Sequence, residues 1–205
     1  MKKTSSTTRG RPRAFERDAA LQKALALFWC RGYEGTSVAD LVAAMGITPP
    51  SLYSAFGSKE SLYLEAVERY LDERRQDLQK ALEEEKTARS AIARVLTEAA
   101  ISYTEPDNPP GCMISMGVLA CAPEHQAVAD RLAAIRTSAV ESFEKRLLQA
   151  QAEGELSSDI NVRNLARFYS AVIQGMSVQA RDGATREEVA SIAEMAMYNW
   201  PGNST

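Results

Sequence analysis

Histidine occurs once in the 205 residues, at position 125, and cysteine three times, at 30, 112 and 121, with no CxxC pair. Separated thiols in odd number exclude a disulfide framework and read as the reduced cysteines of a cytoplasmic protein. Cys112, Cys121 and His125 are the one grouping with metal-ligand chemistry, but Pro123 interrupts the helix between the last two, so no metal is expected. A GxSxG elbow, a glycine-rich phosphate loop and an HExxH helix are all absent, which leaves an enzyme without machinery and a cofactor without a cradle. Carboxylate runs such as Glu83 to Glu85 read as a solvated helix face. No apolar run approaches the roughly 18 residues of a membrane span, and no apolar stretch follows the basic N-terminus, so a soluble, unsecreted chain is expected. Strand alternation, internal repeats and low-complexity tracts are also missing. What remains is an all-α chain of about nine helices.

The residues that are there divide by charge. Residues 1–60 hold nine Lys/Arg against five Asp/Glu, leaving 15 against 22 for the remainder, although the whole chain carries only -3. A basic N-terminal part on an acidic protein marks the end that approaches a polyanion such as DNA. Residues 1–14 are polar and aperiodic and read as a flexible basic arm. Its Arg9-Gly10-Arg11-Pro12-Arg13 run resembles the AT-hook core, an extended segment whose arginines lie in a narrow minor groove.

From about Glu16 to Arg31, Leu21, Ala24, Leu25, Phe28 and Trp29 recur at i, i+3, i+4, i+7 and i+8, one buried helix face ended by Gly32. Ser37 and Asp40 have capping-box spacing ahead of Val38, Leu41, Val42 and Met45. Gly46 supplies the stop, Thr48 caps the next helix, and Pro49 sits at its first position, where no N–H is missed. Residues 36–59 therefore predict a helix-turn-helix, the unit that lays a short helix into a major groove. Ser58 caps a long helix to about Glu85. Thr87 caps one ending at Tyr103, before the loop PDNPPG at residues 106–111. A short helix runs from Met113 to about Ala122, and a long one from Pro123 to about Ala152. Asn161 caps the next, and Thr185 with Glu188 boxes a last helix carrying Trp200, which Pro201 stops.

The run Phe28-x3-Gly32-Tyr33-x2-Gly35-Thr36-Ser37-Val38, with Gly46-Ile47 and Ser51-Leu52-Tyr53-x2-Phe56-x2-Lys59-x2-Leu62, resembles the TetR/AcrR family of bacterial transcriptional regulators. The motif covers roughly the first third of the chain. The resemblance implies a DNA-binding domain at residues 15–60 and an effector-binding, dimer-forming domain at 61–205. It also implies a homodimer that represses from a palindromic double-stranded DNA operator and leaves when a small molecule binds. Carried over by position, Thr36 and Ser37 contact phosphates, Pro49, Pro50 and Ser51 begin the base-facing helix, and Tyr53 and Lys59 touch the backbone. From their own chemistry, Thr48, Tyr53 and Lys59 suit phosphate, and Ser51 and Ser54 suit base edges or thymine methyls. Ala55 stands where many members have histidine, and Pro49-Pro50 offers no N–H, so direct donors are few.

In the larger domain, Tyr103, Cys112, Met113, Met116, Phe143 and Phe168 are candidates for an apolar effector pocket. Leu165, Tyr169, Val172, Ile173, Met176, Ile192 and Met195 exceed one core face and are candidates for a four-helix dimer interface. Cys112, following Pro-Pro-Gly and opening a helix, is the candidate for an oxidant or electrophile sensor. A nucleoid-type protein using the basic arm without sequence choice is the alternative from another class.

Overall fold

The computed structural model describes the backbone of residues 12–201 and the side chains of residues 17–201, residue 73 excepted. Nine α-helices and no strand occur among the described residues: α1 Pro12–Arg31, α2 Val38–Met45, α3 Pro49–Phe56, α4 Lys59–Glu84, α5 Ala88–Tyr103, α6 Met113–Met116, α7 Gln126–Ala152, α8 Val162–Arg181 and α9 Arg186–Tyr198. A 3-10 turn at Pro123–His125 leads into α7. The all-α expectation holds.

Local chemistry sets most of these boundaries. Ser37, Thr48, Ser58, Thr87, Asn161 and Thr185 each accept a hydrogen bond from the amide three residues on. Such a cap satisfies an orphan N–H and stabilises a helix by about 1 kcal/mol. Gly46 ends α2 in the left-handed region at φ 71, where a side chain would be strained.

Four boundaries differ from the sequence pattern, one being the start of α7 at Gln126 rather than Pro123. α1 begins at Pro12, whose fixed φ suits a first helical position, so Arg13 is helical rather than extended and the arm of residues 1–14 overlaps the helix. Arg9 and Arg11 lie outside the described residues. α6 is a single turn instead of running to Ala122, because Gly117 is extended and Val118 takes φ 45. α9 stops at Tyr198, and Trp200 packs beyond it, its ring 5.8 Å from that of Tyr169.

α4 is the common member. At 26 residues it is about 39 Å long. Its start buries Leu62, Tyr63 and Val67 in the core shared with Leu21, Leu25 and Phe28 of α1, and its end buries Ala81 and Leu82 in the bundle with α5. Phe28 and Tyr33 both meet the Tyr63 ring edge-on, at 4.9 and 5.0 Å. Ile92 and Leu96 of α5, Leu132 and Leu147 of α7 and Val189 of α9 are fully buried. Each such side chain contributes on the order of 2 kcal/mol through burial. Arg17 donates to both Glu65 oxygens, at 2.6 and 2.8 Å, and lies over the Phe56 ring, tying α1, α3 and α4 together.

Candidate nucleic-acid interface and effector cavity

α2 and α3 are held by what they bury. Leu41 and Leu52 have no exposed surface, and Met45 and Phe56 close the same core. The amides of Gly46 and Ile47 both donate to the Val42 carbonyl, at 3.0 and 3.1 Å, which fixes the turn between the helices. The opposite face carries Thr48, Pro49, Pro50, Ser51, Ser54 and Ala55, all exposed, and Tyr53, which is half exposed. The 100° step between Leu52 and Tyr53 sends one inward and the other out.

The hydroxyls on this face differ in what they are free to do. The Ser37 hydroxyl donates to Asp40 at 2.5 Å and accepts from its amide, so its proton is committed to the capping box. That bond, with the Ser37 amide next, holds the Asp40 carboxyl below the usual range. Thr36 is fully buried, and its hydroxyl donates to the Gly32 carbonyl at 2.7 Å. Thr36 is therefore a brace beneath the interface and has no surface to offer a phosphate. Pro49 and Pro50 contribute no N–H, and the Ser51 amide is turned to the Thr48 hydroxyl at 3.4 Å. The α3 N-terminus thus offers side-chain hydroxyls in place of bare amides. Lys59 is half-buried with its ammonium 4.2 Å from the Tyr33 ring centre; desolvation lowers its pKa, and nearby Glu34 opposes this. 

Among the side chains that fasten this domain to the rest of the chain, Trp29, Arg181 and Glu34 have no local signature. The Trp29 indole N–H donates to the Gly111 carbonyl at 3.1 Å. Arg181, near the end of α8, donates to the carbonyls of Trp29, at 3.3 Å, and Cys30. The Glu34 carboxylate accepts from the Ala122 amide at 3.2 Å and lies 2.7 Å from His125 Nδ1, and the His125 bond chiefly holds its pKa below the usual value.

Between α4, α5, α7 and α8 lies a half-open cavity of about 1220 Å³. Of the candidate effector residues, Tyr103, Cys112 and Phe143 line it. Met113 and Met116 do not: Met113 is core, and Met116 belongs to the single turn of α6 without reaching the cavity. Phe168 is 45% exposed on the outer face of α8 and leaves the pocket set. Cys112 is buried, its amide donating to the Ser177 hydroxyl at 2.8 Å and its sulfur accepting from the Ser115 amide at 3.5 Å. Burial raises the Tyr70 and Tyr103 phenols well above their usual range. Cys121 lies outside the cavity wall and Cys30 is exposed. The sequence pattern missed the arginines on this wall, Arg74, Arg136 and Arg146 among them, because each sits on a helix whose other turns are plainly solvated.

The outer surface of α8 and α9 sorts the proposed interface residues. Tyr169 and Met176 are fully buried in the monomer and so serve the core, and Ile173 lines the cavity. Leu165, Val172 and Ile192 are half-buried, and Met195 is 65% exposed. Phe168, Ala171, Gly175 and Val178 extend the patch along one exposed stripe of α8, and Tyr198 is 78% exposed on α9. No helix is long and apolar enough to cross a membrane among the described residues.

The sequence is similar to known proteins along nearly its whole length. The family model for bacterial regulatory proteins of the tetR family matches residues 20–66. The tetracyclin repressor-like C-terminal domain matches residues 91–195. The HTH-type transcriptional repressor ComR of Escherichia coli (strain K12) is 39% identical over 195 residues, covering 95% of this chain and 93% of ComR. BdcR, a second HTH-type transcriptional repressor of that organism, is 29% identical over 194 residues, with 95% and 93% covered. A solved structure of the TetR family regulator CifR, a cysteine mutant complexed with 26bp double-strand operator DNA, is 43% identical. It superposes with a TM-score of 0.89 over 94% of this chain and 100% of that one.

Proposed function

Because the chain belongs to the TetR family of bacterial regulatory proteins, we propose that it is a homodimeric transcriptional repressor, freed from a palindromic operator when a small molecule fills the cavity between α4, α5, α7 and α8. The observation that carries this is the exposed face of α3, Thr48 to Ala55, set on a buried Leu52 and Phe56 in a chain that superposes on an operator-bound regulator. Ser51 and Ser54 read bases, Tyr53 and Thr48 position the helix on phosphates, and Arg9, Arg11 and Arg13 add charge from the N-terminal segment. Two copies related by a two-fold axis present two such helices to two half-sites, with Phe168, Val178 and Met195 at the interface. The working compartment is the cytoplasm, where the DNA is.

Release follows from differential binding. A ligand displaces the equilibrium only as far as it prefers the conformation that does not fit DNA. The cavity wall reaches the DNA-binding domain through Gly111, whose carbonyl is bound by Trp29 of α1 and whose next residue is Cys112 of the wall. Selection of operator fragments from genomic DNA with purified protein tests the reading. One palindrome recovered with two protein copies supports it; recovery without sequence preference supports the nucleoid-type alternative.

A second reading of the trigger rests on Cys112 alone among the cysteines lining the cavity. Its thiol adds across an activated alkene, the sulfur–carbon bond forming at the β-carbon and the proton passing to the α-carbon. N-ethylmaleimide mass mapping tests it. Modification of Cys112 in step with operator release supports this trigger, and release that persists in Cys112→Ser removes it.

A further inference from the structure

Of the five arginines on the cavity wall, Arg75 and Arg131 are paired with Glu68, and the other three have no acidic partner among the described residues. Arg74, Arg136 and Arg146 line the cavity, and none lies in an ion pair among the described residues. Arg74 donates to the Ser102 hydroxyl. Arg136 donates to the carbonyls of Ile114 and Gly117, each at 3.0 Å. Arg146 is the extreme case. It is 6% exposed, its Nη2 makes one long contact of 3.5 Å with the Glu85 carbonyl, and its Nη1 is buried with no partner. A buried guanidinium without a counter-charge is strongly unfavourable, and leaving its donors unmade adds to the cost.

The nearby acids do not answer it. Glu85 and Glu98 are held by Arg94 at 3.4 and 2.8 Å. Asp77, Glu83 and Glu153 are exposed. Apolar side chains, Leu82, Val95, Ala99, Ile135, Phe143 and Ile173 among them, form part of the wall beside serine, glutamine and lysine residues. A cavity of about 1220 Å³ accommodates a molecule of ordinary ligand size.

We propose that the effector is an organic anion with an apolar body, its carboxylate or comparable acid group bound by Arg146 and the body lying along the apolar wall. The proposal rests on the effector-cavity reading above and adds the ligand's class. Arg146 offers paired N–H groups in a fixed fork, which suits a planar anion better than a neutral ligand. The buried Arg146 charge has no acidic partner among the described residues, which gives the wall its preference for an anion.

Two fluorescent probes sharing one skeleton test this: 8-anilinonaphthalene-1-sulfonate, an anion, and N-phenyl-1-naphthylamine, its uncharged counterpart. The wild-type protein should bind the anion about tenfold more tightly or better, and Arg146→Met should lose that advantage while its affinity for the uncharged probe stays within about twofold. Equal affinities in the wild type, or an unchanged advantage in Arg146→Met, would overturn the proposal. Should Arg146→Met fail to fold, the wild type alone decides, by displacement of N-phenyl-1-naphthylamine. Decanoate should compete at about tenfold lower concentration than 1-decanol, and equal potency refutes the anion site. These titrations contain no DNA. A protein that discriminates the probes but binds no operator would contradict the regulator reading and leave the anion site standing.

Discussion

Replacing Trp29 by Phe removes one hydrogen bond between the DNA-binding domain and the effector domain and little else. The indole N–H donates to the Gly111 carbonyl at 3.1 Å. A phenyl ring preserves the edge contact with Tyr70, now at 4.9 Å, and the platform beneath Arg74 at 5.4 Å. Gly111 is buried, so its carbonyl loses a partner without gaining water. The loss is about 1–2 kcal/mol. For a chain of this size it lowers Tm by about 2–8 °C. The bond joins the two domains, so it can distinguish the state that fits DNA from the released one. If it is broken in the released state, the same 1–2 kcal/mol weakens operator binding by about 5–30-fold. Fluorescence anisotropy with the selected operator at fixed salt measures this, beside a thermal melt. A lowered Tm with operator affinity unchanged would refute the reasoning, because the bond would then be made equally in both states. Arg181→Met, which releases the Trp29 and Cys30 carbonyls, should act in the same direction.

Thr36→Val keeps the shape of a fully buried side chain but removes its bond to the Gly32 carbonyl. Stability should fall by about 1 kcal/mol, while the salt dependence of operator binding is unchanged; a slope reduced by about one counterion would restore Thr36 as a phosphate contact. Met195→Arg places a charge on the exposed patch of α9, and mass photometry should find monomers that no longer hold the operator; an intact dimer would move the interface elsewhere. Glu34 is held below the usual carboxyl range by His125 first and the Ala122 amide after it. The sign follows: its stabilisation is present above the unfolded carboxyl pKa and is lost as pH falls through the lower folded value. The Tm advantage of wild type over Glu34→Gln should therefore shrink between about pH 5 and pH 3, and a constant difference would assign the bond no charge dependence.

The parts of the fold legible in the sequence were those fixed by neighbours in the chain. Six caps, from Ser37 to Thr185, act across three residues, so their spacing alone located them. Helix faces were equally readable, and Leu52 inward with Tyr53 outward follows from helical geometry. The misassignments turn on which residues the packing buries. Phe168 and Tyr169 differ by one helical step, and only the placement of α8 against Trp200 decides which is core. Thr36 has a surface residue's chemistry but a neighbour, Gly32, that takes its hydroxyl inside. The charged character of the cavity was hidden because Arg74, Arg136 and Arg146 come from two helices and converge only in three dimensions. The bond between Glu34 and His125 spans 91 residues and has no local trace.

The central claim is that two copies of α3 read one DNA sequence. The most direct test is the ratio of affinities, at one salt concentration, for the selected palindrome and for the same bases with one half-site shuffled. A ratio of about a thousand or more is expected, with two protein copies on the palindrome. A ratio near unity would contradict the claim and leave a protein held to DNA by charge alone.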